Sequence, residues 1–145
     1  MKISTRGRYG LRALVELASC KEGELMPLRT IAERHGMSEH YLEQLAAPLK
    51  KAGIIDSVRG AQGGYRLSKA PSDITAGDVI RVLEGTLSPV DCLDDDSYEC
   101  SAASCKNCNT RPVWEKLYAG VSEALDNIRL SDLVETEIGT AVKDR

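Results

Sequence analysis

The sequence predicts a mainly α-helical fold with one short β-hairpin, and three observations support this prediction. Leu, Ile, Val and Ala recur at helical spacing in several segments. A glycine-rich run at residues 59–64 separates two short β-favouring runs. A tight glycine turn joins the two helices that precede this hairpin. Two helices joined in this way and followed by a hairpin make a winged helix-turn-helix.

The chain divides into four parts on this basis. Residues 1–85 are predicted to form the winged helix-turn-helix domain and residues 86–110 a cysteine-rich loop. Residues 111–135 are predicted to form a long helix with a terminal turn, and residues 136–145 a tail. The chain of 145 residues has no Phe, so Leu, Ile, Val and Ala must fill its core.

The net charge of −3 hides a difference between the two halves. Residues 1–69 carry 12 Lys and Arg against 7 Asp and Glu, a balance of +5, which leaves 7 against 15, or −8, for residues 70–145. The N-terminal half is therefore the part that suits a polyanionic partner.

The first predicted helix spans residues 4–20 and begins with Ser4 and Thr5 as possible caps. A cluster of arginines lies near its start: Arg6, Arg8 and Arg12. Given the charge of this half, the cluster favours contact with phosphates, while a solvated basic helix end is the alternative.

The helix-turn-helix is predicted from residues 27–51. A short helix with Pro27 in its first turn is followed by a turn at Gly36, and Ser38 then caps a second helix from Glu39 to Lys51. Pro48 predicts a bend or an early end of that helix. A recognition helix enters the DNA major groove by its N-terminal residues, which here are Ser38, Glu39, His40, Tyr41, Glu43 and Gln44. A plain αα-hairpin of a helical bundle is the alternative.

The hairpin after this helix has the position of a wing. Its strands are predicted at residues 54–58 and 65–67, with Arg59 at the tip. A guanidinium group there suits a narrow, A·T-rich minor groove. The glycines do not form a phosphate-binding loop, because no G-x-x-x-x-G-K-[ST] motif is present and no helix starts there.

The cysteine-rich loop holds four of the five cysteines at the spacing C-x7-C-x4-C-x2-C, namely Cys92, Cys100, Cys105 and Cys108. No secretory signal or membrane-spanning run is visible, so we expect a soluble cytoplasmic protein with reduced thiols. A metal site is then favoured over disulfides. The wide spacing favours an iron-sulfur cluster over zinc, and a redox dithiol or idle cysteines remain an alternative.

The C-terminal part contains two further predicted helices. One runs from Thr75 to Gly85, and the other carries apolar residues at intervals of 3, 4, 4 and 3, which are Trp114, Leu117, Val121, Leu125 and Ile128. So broad an apolar face exceeds the need of one small domain and predicts a homodimer. A twofold dimer of helix-turn-helix units matches a pseudo-palindromic site in double-stranded DNA.

Blocks along nearly the whole chain resemble the bacterial winged-helix regulators typified by the iron-sulfur cluster regulator IscR, the cysteine-metabolism repressor CymR and the nitric-oxide sensor NsrR. These blocks include MKISTRGRYGLRALVELA, SEHYLEQL, LKKAGIIDSVRGAQGGYRLS and ITAGDVIRVLEG. The resemblance implies a homodimeric transcriptional regulator and not an enzyme. A thiol oxidoreductase that uses Cys105 and Cys108 is a weak alternative, because the pair does not open a helix after a strand.

The resemblance also implies a [2Fe-2S] cluster and makes zinc unlikely, because IscR-like members hold such a cluster with three cysteines and a histidine in this loop. Cys92, Cys100 and Cys105 would be the cysteines, and Cys108 stands where the histidine would be. Counted back from Trp114, Cys108 matches the third cysteine and Arg111 the histidine. The regulator would sense cluster status and control genes of cluster assembly or cysteine metabolism.

Two further expectations come from the same resemblance. In IscR-like proteins, the glutamate that matches Glu43 is implied to exclude one class of operator from the cluster-free form. The alternative to cluster sensing is a cluster-free repressor of the CymR kind, signalled by a partner enzyme similar to cysteine synthase.

Overall fold

The computed structural model describes residues 1–95, 98 and 107–134. Cys100, Cys105 and the predicted tail at residues 136–145 lie outside the described residues. The elements in chain order are α1 (Thr5–Ala18), α2 (Leu28–His35), α3 (Glu39–Lys51), β1 (Ile55–Val58), β2 (Gly64–Leu67), α4 (Ala76–Glu84) and α5 (Arg111–Asp126). Short 3-10 turns occur at Pro71–Asp73 and Asp91–Leu93. The predicted fold class, mainly helical with one hairpin, is confirmed.

One aliphatic core holds α1 to α4 and the hairpin together. Its most deeply buried side chains come from every part of this region and include Leu14, Ile31, Leu42, Leu45, Leu49, Ile74 and Val79. Leu130, which follows α5, is completely buried in the same core. The prediction that aliphatic residues replace phenylalanine in the packing is therefore confirmed.

The turn between α2 and α3 depends on Gly36, which adopts a left-handed conformation with φ of 64°. This conformation favours glycine because it has no Cβ, and it lets the Met37 N–H donate to the Ala32 carbonyl at 3.0 Å. Ser38 then caps α3, its Oγ accepting from the Tyr41 N–H at 3.1 Å. The two helices thus have the predicted helix-turn-helix connection.

α3 does not end early at Pro48, whereas a bend there stays a prediction. The helix continues to Lys51, and the Ala52 N–H donates to the Pro48 carbonyl at 3.0 Å. Proline removes only one backbone donor, whereas the flanking Leu45 and Leu49 are both 2% exposed. Their burial holds the last turn in place. Pro27 also differs slightly from its prediction, since it is the N-cap residue and α2 begins at Leu28.

The hairpin pairs β1 with β2 in antiparallel register, with Ser57 opposite Tyr65. Met26 adds a further bridge on the other side of β2, exchanging backbone hydrogen bonds with Tyr65 at 2.9 and 2.8 Å. The wing is therefore anchored on both sides of β2 near its start. This third backbone partner was not predicted from the sequence.

α4 contacts both α1 and α5. A Cβ at Gly10 of α1 would overlap the Leu83 side chain of α4, so glycine permits this close approach. Arg81 of α4 forms a two-pronged ion pair with Asp126 at 2.7 and 2.8 Å, and a backbone bridge joins Thr75 to Arg129. Among the described helices, none is long and apolar enough to cross a membrane.

Candidate nucleic-acid interface and cysteine loop

The N-terminal half of α3 presents most of its predicted contact residues to solvent. Ser38, Glu39, His40, Glu43 and Gln44 are all exposed. His40 lies 3.8 Å from the Glu43 carboxylate and its Nε2 lies 3.2 Å from Gln44 Nε2. The exposed face therefore offers hydrogen-bond donors and acceptors, which can pair with the polar edges of DNA bases.

Tyr41 is placed differently from the other predicted contact residues. It is only partly exposed, and its ring meets the Tyr9 ring edge to face, with centroids 6.2 Å apart. Arg12 in turn lies 5.5 Å from the centre of the Tyr9 ring. The ring of Tyr41 thus helps to attach the recognition helix to α1.

The wing and α3 form the two walls of one open cavity of about 420 Å³. Glu39 and Glu43 line it from the helix, and Arg59 lines it from the wing. The Lys50 side chain of α3 reaches the wing, where its Nζ donates to Ser57 Oγ at 2.6 Å. The structure therefore brings two of the predicted helix residues, Glu39 and Glu43, to one groove with Arg59. The contact of Lys50 with Ser57 was not predicted, because only the fold brings the two residues together.

The start of α1 is held by a residue from the end of α4. The Glu84 carboxylate accepts from the backbone N–H groups of Ser4 and Gly7 at 3.0 and 3.2 Å, and from the Ser4 hydroxyl at 2.6 Å. Ser4 is the N-cap residue as predicted, but its hydroxyl donates to Glu84 instead of accepting from the helix. A carboxylate at a helix N-terminus is favoured by the helix dipole.

Arg8 lies one turn into α1 and is exposed. Its guanidinium forms no hydrogen bond or ion pair with the residues that the structure describes, so this group is available for a phosphate. Arg8 lies on α1, and Glu84 of α4 binds the start of this helix. The position of α4 therefore affects where Arg8 lies.

The cysteine loop is described at its two ends. Cys92 lies in the 3-10 turn Asp91–Leu93, and Cys108 lies just before α5; both are free and partly exposed. The hydroxyl and backbone N–H of Thr110 hold the pKa of the Cys108 thiol below its ordinary value, and Sγ lies 3.2 Å from the Thr110 hydroxyl. This favours the thiolate, which is the form that binds metals.

The structure leaves the complete ligand set of the loop undescribed, because Cys100 and Cys105 lie outside the described residues. Within the described part of the chain, no three His, Cys, Asp or Glu side chains are grouped so as to hold a metal ion. Cys20, the fifth cysteine, lies at the far end of α1. Burial and the nearby carboxylates of Glu24 and Glu16 raise the pKa of its thiol.

Comparison with known proteins agrees with this geometry. A family model described as Rrf2, an iron-dependent transcriptional regulator, matches residues 3–136. The chain is 48% identical to the HTH-type transcriptional regulator CymR of Bacillus subtilis (strain 168) over 134 residues, 92% of this chain and 89% of that protein.

Two solved structures are also similar. CymR, the global cysteine regulator of B. subtilis, superposes with a TM-score of 0.77 at 44% identity and covers 94% of this chain and 98% of its own. T. potens IscR superposes with a TM-score of 0.73 at 41% identity, covering 100% and 93%. With its helix-turn-helix and wing forming one groove, the chain belongs to the Rrf2 family of DNA-binding transcriptional regulators and is not an enzyme.

Proposed function

We propose that this regulator binds double-stranded operator DNA with the face of α3 and the wing together. The groove that carries both Glu39 and Glu43 on one wall and Arg59 on the other is the observation that supports this proposal most. The exposed α3 residues Ser38, Glu39, His40, Glu43 and Gln44 would reach base edges in the major groove, whereas Tyr41 would hold the helix against Tyr9 of α1. Arg59 would enter the adjacent minor groove, and Arg8 would contact a phosphate.

The regulator acts as a homodimer in this proposal, with α5 as the dimer contact. No residue of α5 is buried within the described chain. Val113 is 57% exposed, Leu117 41% and Ile128 37%, although all three are apolar. A second copy with the same face would cover them in a closed twofold contact. Residues 111–135 would then join two DNA-binding domains, each formed by residues 1–85.

The loop at residues 86–110 is proposed to hold a [2Fe-2S] cluster through Cys92, Cys100, Cys105 and Cys108. The two described cysteines fit this role, because both thiols are free and partly exposed and the surroundings of Cys108 favour its thiolate. The similarity to IscR supports a cluster over zinc. Such a cluster supplies reversible one-electron chemistry, and its loss would report iron-sulfur status.

The cysteine loop connects directly to the DNA-binding surface through α4. This helix ends at Glu84, which holds the start of α1, and the loop begins two residues later at Thr86. Binding of a cluster in the loop would therefore act on both α4 and α1. The genes controlled would be those of cluster assembly or cysteine metabolism.

The test compares holo, cluster-free and Glu43→Ala proteins on a panel of pseudo-palindromic operators by fluorescence anisotropy at fixed salt. A carboxylate accepts a hydrogen bond from cytosine N4 but repels phosphate. One such contact changes the binding free energy between a matching and a mismatched base pair by about 1–3 kcal/mol. We expect the cluster-free protein to bind fewer operators than the holo protein, and Glu43→Ala to widen the cluster-free set. Identical selectivity of all three proteins would contradict this role of Glu43 and of the cluster.

A second candidate is supported by the 48% identity to CymR. In this case the protein is a cluster-free repressor of cysteine metabolism, and its signal is a partner enzyme similar to cysteine synthase. Titration calorimetry of the colourless protein with such an enzyme tests this. Binding that changes operator affinity supports the second candidate, and an absence of heat and of any effect on the operator excludes it.

A further inference from the structure

The hydrogen bond between Lys50 and Ser57 joins the recognition helix to the wing. Lys50 lies in the last turn of α3, and Ser57 lies in β1 two residues before Arg59. Their side chains meet at 2.6 Å on the groove that both elements line. The bond therefore spans the space between the two elements that are proposed to read DNA.

Among the described residues, backbone hydrogen bonds connect α3 to the wing at the corner between them. The Ile54 N–H donates to the Leu49 carbonyl at 3.0 Å, and Gly53 has a positive φ of 75° at the corner between the two. β1 continues from this corner to Val58, directly before Arg59. Farther along β1, the Lys50–Ser57 bond adds a side-chain attachment of the wing to α3, beside the backbone bridge between Met26 and Tyr65.

The ammonium group of Lys50 has Ser57 Oγ as its hydrogen-bond partner. It forms no salt bridge with any described residue, although Glu39 and Glu43 line the same groove. Lysine has three donors on a flexible stem, so it can bridge to a hydroxyl across a gap of this size. Ser57 itself is held in register opposite Tyr65, which also pairs with Met26.

We propose that Lys50 is a positioning residue, which sets the distance between α3 in the major groove and Arg59 in the minor groove through Ser57. The inference rests on the proposed DNA contacts of the wing. It assigns to Lys50 a role in operator affinity that does not require contact with DNA. The competing role, a direct contact of Lys50 with a phosphate, has a different signature.

The experiment measures operator affinity by anisotropy over a range of salt concentrations for Ser57→Ala, Ser57→Thr, Lys50→Met and the control Lys51→Met. Lys51 is the exposed neighbour of Lys50, and its side chain forms no hydrogen bond with the described residues. We expect Ser57→Ala and Lys50→Met each to weaken binding by about three- to tenfold, as loss of one hydrogen bond would. Ser57→Thr keeps the hydroxyl and should bind as the unchanged protein does.

Two readouts separate positioning from phosphate contact. Ser57→Ala leaves every positive charge in place, so a phosphate contact by Lys50 would leave its affinity unchanged. Loss of a phosphate contact in Lys50→Met would also reduce the slope of log affinity against log salt by about 0.9. Unchanged affinity of Ser57→Ala would overturn the positioning role. So would a slope reduced by about 0.9 in Lys50→Met when Ser57→Ala does not weaken binding.

A double-mutant cycle with Arg59→Ala completes the test. If Lys50 positions the wing, Arg59→Ala should weaken binding less in the Ser57→Ala background than in the unchanged protein. An equal effect in both backgrounds overturns the positioning role alone. If Arg59→Ala has no effect in the unchanged protein, the proposed wing contact itself is wrong, and the role of Lys50 fails with it.

Discussion

At the scale of single residues, the proposed contact of the wing with DNA depends on Arg59. It is exposed at the end of β1 and lines the groove opposite Glu39 and Glu43. We expect Arg59→Ala to weaken operator binding by about 1–3 kcal/mol without loss of thermal stability. Arg66→Ala is the control, because Arg66 is exposed on β2 outside this groove. Equal effects of both substitutions in an anisotropy titration at fixed salt would mean that only total charge matters.

Single residues also show which contacts are visible in a sequence. The cap formed by Ser38 was predicted correctly, because its partner lies three residues away on the same helix start. The partner of Ser4 was not, because the Glu84 carboxylate is 80 residues distant along the chain. Lys50 and Ser57 were missed for the same reason. Their contact depends on the angle between α3 and β1, which no local pattern specifies.

At the scale of elements, Glu84 is expected to stabilise the packing of α1 on α4. Glu84→Ala leaves the N–H groups of Ser4 and Gly7 without their acceptor, so we expect a loss of about 1–3 kcal/mol of unfolding free energy. Glu33→Ala is the matched control, since its carboxylate joins only the exposed Arg29 within α2. Chemical denaturation of both variants measures the difference, and an equally small loss would refute the anchoring role.

The ion pair between α4 and α5 gives a pH dependence. The Arg81 guanidinium holds the pKa of Asp126 below its usual range. The folded protein therefore gains stability from this pair above the ordinary aspartate pKa of about 4 and loses it as the pH falls through the lowered value. Because the pair is partly exposed, its contribution is up to about 1 kcal/mol.

Arg81→Met should accordingly destabilise the protein at neutral pH and have little effect in strong acid. Urea denaturation of both proteins at several pH values checks this. Arg29→Met, which removes an exposed pair within one helix, is the control. A destabilisation by Arg81→Met that persists unchanged in strong acid would show that lost packing, and not the charge pair, is responsible.

Elements with a local signal were predicted well. The predicted bounds of α3, from Glu39 to Lys51, match the structure, because a serine cap opens this helix and Gly53 follows its end. The wing strands shifted by one residue at their starts. The sequence did not predict how the segment after α5 attaches to the core. Arg129 pairs with Thr75, and Leu130 is buried in the core. Both contacts join residues that are far apart in the sequence.

At the scale of the whole molecule, the exposed face of α5 predicts a dimer. Leu117→Asp places a charge on the proposed contact, so we expect a monomer with weaker operator binding. Lys116→Asp, at the neighbouring exposed position, is the control and should remain dimeric. Light scattering after size exclusion measures both. A dimeric Leu117→Asp protein would move the proposed contact away from this face.

We propose that the cysteine loop carries an iron-sulfur cluster, which can be detected by anaerobic purification followed by visible absorption and by iron and sulfide analysis. We expect brown protein with equal amounts of iron and sulfide, and loss of the absorption when Cys92, Cys100 or Cys105 is replaced by alanine. Cys20→Ala should keep it, because Cys20 follows the end of α1 that is opposite the end bound by Glu84, after which the loop begins. Colourless or zinc-containing protein, or a full cluster in Cys100→Ala, would contradict the claim.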